Sequence, residues 1–192
     1  MHAYGGRYPL DFTLPWDSRA DGFLQYAEVY KDCIDFLMEH YEKKPPSHDY
    51  GMAPVLFLLR HYAELQLKGI LIFCKADFPK KSHNISELFT KTVKTVTEIY
   101  GKENVGKPDA EVEKFLHAIG NFSQKGEAFR YPESLDGASF SKKIHASNKW
   151  FYENITEFSK LRTLIKKVTD NLEGLEICVQ ELEDFRNEIR FE

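Results

Sequence analysis

The sequence predicts an all-α fold, a helical bundle that ends in a long C-terminal heptad helix. Apolar residues recur at three- and four-residue steps along most of the 192 residues. Proline and glycine gather between those stretches, at Lys43-Lys44-Pro45-Pro46-Ser47, at Gly101 and around Gly126, Pro132 and Gly137. The last quarter of the chain carries an apolar seam that keeps its phase from Phe151 to Ile189.

Residues 1–16 are rich in aromatics, glycine and proline and read as an irregular arm. It is either a disordered tail or a strap that packs Tyr8, Phe12 and Trp16 onto the helices. From about Asp17 to Tyr41, the positions Phe23, Ala27, Tyr30, Ile34, Leu37 and Tyr41 define a first helix. The Pro45-Pro46 turn stops it, because proline lacks the amide donor and restricts the residue before it. Pro54 suits the first turn of a second helix that runs to about Cys74. Asn84, with Glu87 three residues on, has the form of a capping box for a third helix ending near Tyr100-Gly101. Asp109 caps a fourth, with Val112, Phe115, Leu116, Ile119 and Phe122 on its apolar face. Residues 124–143 lack periodicity and form a long loop.

The C-terminal seam comprises Phe151, Asn154, Phe158, Leu161, Ile165, Val168, Leu172, Leu175, Val179, Leu182, Arg186 and Ile189. Its phase survives Gly174, which favours one long or gently bent helix of about 65 Å over a hairpin broken at that glycine. So long a seam exceeds what the other helices cover, and the remainder is expected to pair with another chain, a second copy or a different subunit. The organisation is then an arm (1–16), a helical core (17–145) and a C-terminal helix or helical hairpin (146–192).

A formal net charge of −4 excludes a generally basic nucleic-acid binder. The charge is uneven: residues 75–107 hold seven Lys and four acids, whereas residues 170–192 hold eight acids and two Arg. Any RNA contact therefore falls to the middle of the chain. Cys33, Cys74 and Cys178 share no paired spacing, so neither a disulfide framework nor a zinc site is suggested. With no signal-like leader and no bilayer-length apolar run, the expected setting is the reducing cytoplasm, away from membranes.

The most informative stretch is FLLRHYAELQLKGILI, residues 57–72. It is apolar on nearly every face, yet Arg60, His61, Glu64 and Lys68 share roughly one quadrant at about 100° per residue. Ionisable groups on a buried helix are paired, solvated through a cleft, or put to chemical use. Arg60 to Glu64 and Glu64 to Lys68 are both i,i+4 pairs, so a structural salt ladder is one reading. The other is a site.

The run Glu64, Leu65, Leu67, Lys68, Gly69, Ile70, Leu71, followed by His83 and Leu88, resembles the helical core of the HEPN superfamily. Phe129-Arg130-Tyr131-Pro132 is similar to a segment of bacterial HEPN-like proteins that also carry an Arg-His-x-x-Glu helix. The resemblance spans about residues 50–135. It implies a HEPN-like bundle and an RNA-directed effector, or effector subunit, of a prokaryotic toxin or phage-defence system, activated by a trigger or by dimerisation. It implies RNA as substrate and an ATPase or nucleotidyltransferase as partner. One departure matters: ribonucleolytic members carry an arginine, four to six residues, then a histidine, and no Arg here has a His at that spacing. Any cleavage therefore rests on a different constellation.

That constellation is expected to be Arg60, His61, Glu64, His83 and Arg130 as catalytic groups, with Lys68 and Tyr131 contacting substrate. Metal-independent cleavage needs a base, an acid and a cation, which these types supply. For His83 the structural alternative is a helix-entry residue bonded to backbone, and for Arg130 an anchor that clamps its loop to Glu64. No metal or other cofactor is expected: His61-x-x-Glu64 has no second copy, and no nucleophile elbow, P-loop or dinucleotide turn is present. The competing function is a non-catalytic helical interaction or dimerisation module that binds an enzymatic partner.

Overall fold

A computed structural model of the chain describes residues 20–46, 49–121 and 149–190. Among them are seven α-helices and no strand: α1 (Ala20–Lys43), α2 (Ala53–Phe73), α3 (Ile85–Tyr100), α4 (Lys102–Val105), α5 (Ala110–Asn121), α6 (Lys149–Asn154) and α7 (Phe158–Arg190). A 3-10 turn, Asp49–Met52, leads into α2. The N-terminal arm, Phe122, the 124–143 loop with Arg130 and Tyr131, and the side chains of Arg186 and Ile189 lie outside the described residues.

The central element is α2, which touches α1, α3, α5 and α7. Its Leu59, Leu67 and Leu71 are fully buried. They meet Ile34 of α1, Leu88 of α3, Phe115 and Ile119 of α5, and Leu164 and Val168 of α7 in one core. A smaller cluster of Ile70, Val96, Tyr100 and Val179 joins the far ends of α2, α3 and α7. Gly69 lets α1 approach closely: a β-carbon there would lie 2.6 Å from Leu24 Cδ2 and 3.4 Å from Phe23 Cβ.

The ends of α2 and α3 fix the link between them. After Cys74, Lys75 takes a left-handed conformation (φ 54°). The Ala76 amide then donates to the Leu71 carbonyl and the Lys75 amide to the Ile72 carbonyl, each at 2.9 Å, in the pairing of a Schellman motif. Asn84 caps α3 by accepting from the Glu87 amide at 3.3 Å. The expected box closes differently, because the Asn84 amide donates to Ser82 Oγ at 3.2 Å rather than to Glu87. Asp109 caps α5 through the Glu111 amide at 2.7 Å.

The C-terminal region departs from the single helix expected from Phe151 onward. Asn154 turns its amide back onto the Trp150 carbonyl at 2.8 Å, and the β-branched pair Ile155-Thr156 leaves the helical path. The Glu157 carbonyl then accepts from the Leu161 amide and α7 begins. The short α6 turns Trp150 and Phe151 onto Phe115. Gly174 stays helical, as the unbroken phase implied. The 33 residues of α7 span about 50 Å at 1.5 Å per residue. The part of the seam from Leu161 to Val179 packs within the chain: Leu161, Ile165, Val168, Leu172 and Val179 are buried in the bundle. Off-seam Leu164 and Thr169 are buried too, the wider stripe of a bundle helix rather than a two-stranded seam.

Two of the helical glycines, Gly69 and Gly174, respond oppositely to a methyl group. Gly69→Ala forces Leu24 aside and lowers stability by about 1–3 kcal/mol. Gly174→Ala, with nothing within 4 Å of the new carbon, raises it by about 0.5–1 kcal/mol. Urea titration of both variants checks the pair; a destabilised Gly174→Ala would mean that α7 bends at that residue.

Candidate functional site

Glu64 lies in the middle of α2 and is 4% exposed, so its carboxylate needs partners. Lys68, one turn on, donates Nζ to Oε1 at 2.8 Å, in the favoured order of acid before base. Arg60, one turn back, places Nη1 3.5 Å from Oε2. Both cations are themselves buried, with side chains 5% and 7% exposed. The third partner comes from the link: His83 Nδ1 lies 2.8 Å from Glu64 Oε1. Arg60 closes the arrangement by donating Nη2 to the His83 backbone carbonyl at 2.7 Å.

The chemistry of this contact follows from its acceptor. An ionised carboxylate only accepts, so Nδ1 of His83 carries the proton and donates it. In the neutral ring Nε2 is then the basic nitrogen. The His83 side chain is 52% exposed, unlike the other three members. Burial alone would push the Glu64 carboxyl up, but the bonded Lys68 ammonium and then the His83 ring hold it below the usual carboxylate value.

Arg60, Glu64, Lys68 and His83 thus come together. His61 does not join them, although it shares their quadrant of the helix. Its ring sits edge-on to Tyr30 of α1, centroids 4.6 Å apart, and stacks with Phe57 at 6.4 Å. Burial holds the His61 imidazole below its usual value, Glu64 pulling the other way. Lys68 spends its ammonium on Glu64 within the core rather than offering it outward. Arg130 and Tyr131 are outside the described residues. No three His, Cys, Asp or Glu side chains gather as metal ligands would among the described residues. No helix of those residues is long and apolar enough to cross a membrane.

A second polar layer lies on the opposite face of α2, against α1 and α7. Gln66, 2% exposed, donates to Glu176, which also accepts from Gln180 at 3.0 Å. Lys31 of α1 pairs with Glu173 at 2.7 Å. Tyr62, 1% exposed, has a hydroxyl with no hydrogen-bond partner among the described residues. Burial, with Glu173 and Glu176 nearby, pushes that phenol far above its usual value. Sequence reasoning missed this layer. Its only trace is that Tyr62 and Gln66 are i,i+4, as are Glu176 and Gln180 on α7.

Comparison with protein-family models, with curated proteins and with solved structures yields no match.

The two layers answer pH at opposite ends. Glu64 has a lower value folded than unfolded, so its contribution is complete above about pH 4.5 and is lost as pH falls through the depressed folded value. Tyr62 has a raised value, so its contribution is complete below about pH 10 and is lost as pH rises beyond it. Glu64→Ala leaves Arg60 and Lys68 buried without their anion and costs about 3–5 kcal/mol by urea titration at pH 7. Tyr62→Phe removes an unsatisfied hydroxyl, stabilises by about 1 kcal/mol and flattens the alkaline limb. A loss of stability in Tyr62→Phe would show that the hydroxyl is satisfied.

Proposed function

We propose that this chain is a HEPN-like, RNA-directed effector or effector subunit of a prokaryotic toxin or phage-defence system, in which His83 transfers the proton in metal-independent cleavage. The observation that carries this reading is the Glu64–His83 pair: a buried carboxylate fixes Nδ1 of an imidazole whose other nitrogen is the basic one, on a half-exposed ring. Carboxylate-oriented histidines of this kind act as general bases where a hydroxyl must be deprotonated.

In this reading Nε2 of His83 takes the proton of a ribose 2′-hydroxyl. The 2′-oxygen forms a bond to phosphorus and the 5′-oxygen leaves with a proton from a second acid, giving a 2′,3′-cyclic phosphate and a 5′-hydroxyl end. Glu64 stabilises the imidazolium formed. Lys68 and Arg60 act as positioning residues, Lys68 on the carboxylate and Arg60 on the His83 backbone. Exposed Lys80 and Lys81 on the same link supply charge for the phosphates. Arg130, expected as a further catalytic group, and Tyr131, expected to contact substrate, lie outside the described residues.

One observation also favours the non-catalytic reading. The Arg60 bond to the His83 carbonyl ties the link to α2 whether or not the ring does chemistry, so the cluster also suits a scaffold that presents helices to an enzymatic partner.

His83→Ala separates the two. It removes the exposed ring, keeps the backbone carbonyl that Arg60 holds, and leaves Glu64 with Lys68. RNA cleavage by the full chain, followed in chelator on denaturing gels, falls by about 10²–10⁴ in this variant while the fold is retained by circular dichroism. Cleavage that stops with chelator, or persists in His83→Ala, overturns the catalytic assignment. Wild-type protein that binds RNA or a protein partner but never cleaves leaves the scaffold reading.

A further inference from the structure

The outer face of α1 is built unlike that of the other described helices. At about 100° per residue Val29, Cys33, Phe36 and His40 fall within about 60° of one another, away from Ala27 and Ile34 on the core side. Val29 is 60% exposed and Phe36 70% exposed, and Cys33 is exposed between them. Tyr26, Tyr30 and Leu37, all half-buried, extend the apolar surface toward the bundle. On the other side runs an acidic ridge: Glu28, Asp32, Asp35, Glu39 and Glu42, all exposed, within about 80° of arc.

That ridge is poorly neutralised. Lys31 turns inward to Glu173 at 2.7 Å and reaches Glu28 only at 3.8 Å, and Arg162 takes Glu42. Asp32, Asp35 and Glu39 have no ion pair among the described residues. Burial raises the Asp35 carboxyl; Lys31 opposes this, while Asp32, Glu173 and Glu39 add to it. A row of repelling carboxylates beside exposed Val and Phe costs stability in the free chain through both terms.

We propose that this face of α1 docks a cationic amphipathic helix of another protein. Its apolar i, i+4, i+7 residues cover Val29, Cys33 and Phe36, and its Lys or Arg residues lie along the ridge from Glu28 to Glu39. Charge complementarity selects this occupant. A second copy crossing antiparallel about a two-fold axis sets acidic ridge against acidic ridge, which is repulsive. Nucleic acid and anionic lipid are repelled for the same reason. The proposal is independent of the chemistry assigned to His83, because the face is on a different helix and uses none of the cluster's side chains.

The test uses the full chain and a synthetic helical peptide of about 18 residues, enough to span the stripe at 1.5 Å per residue. The peptide has Leu at i, i+4, i+7 and i+11 with Lys on its flanks, and a twin carries Glu for every Lys. Binding is read by fluorescence anisotropy, and contact by maleimide alkylation of Cys33, with the half-buried Cys178 as reference. The lysine peptide is expected to bind, to slow alkylation of Cys33 but not of Cys178, and to weaken as salt rises. Phe36→Ser is expected to weaken binding about tenfold. Asp32→Asn, Asp35→Asn and Glu39→Gln together are expected to flatten the salt dependence. These positions are exposed, so the variants keep the fold, as circular dichroism verifies. No binding, equal binding of the glutamate twin, or unchanged affinity in Phe36→Ser overturns the proposal. A concentration-dependent dimer of the unaltered chain that is lost in Phe36→Ser gives the face to a second copy instead.

Discussion

A carboxylate in the middle of a buried helix is the constraint around which this bundle is arranged. Glu64 could be sheltered only if charge came to meet it, and its own helix supplies two cations at one turn on either side. Those cations need shelter in turn. Arg60 finds part of it in the carbonyl of His83, so the pairing on α2 also fixes where the chain enters α3. Removing the anion leaves its partners uncompensated, whereas a well-packed apolar replacement of all of them would cost far less. Of the four members only His83 reaches solvent.

The link between α2 and α3 is held by backbone as much as by side chains. Lys75 adopts a left-handed conformation that glycine adopts more easily, which lets two amides close the end of α2. Phe78 then enters the core and Ser82 prepares the cap of α3. The imidazole is therefore fixed by a turn, a buried aromatic and a cap, in addition to its contact with Glu64. A group held from several directions loses little entropy when it acts, the structural basis of preorganisation.

Much of the bundle was legible because helix ends leave chemical marks. Asn84, Asp109 and Gly101 located their termini, and the phase across Gly174 signalled a continuous helix correctly. The break at Ile155–Glu157 was not legible, because the seam keeps its period there and a helix that stops for three residues does not disturb the count. The Glu64 cluster could be read in part from i,i+4 spacing, but a wheel cannot tell which residues of one quadrant turn to a carboxylate and which to a neighbouring ring. His61 meets Tyr30 for a tertiary reason. The layer around Tyr62 and Gln66 was hidden because its partners lie more than a hundred residues away on α7.

That separation bears on how the bundle assembles. The contact between Gln66 and Glu176 spans 110 positions of sequence, whereas Arg60 and His83 are 23 apart. Loop closure costs more entropy for the longer span, and contacts near in sequence form on faster timescales. The Arg60–His83 clamp on one face of α2 can therefore organise while its other face still awaits α7. On that ordering α7 is expected to dock last, and interactions made only by that helix would then govern the rate at which the bundle opens more than the rate at which it forms.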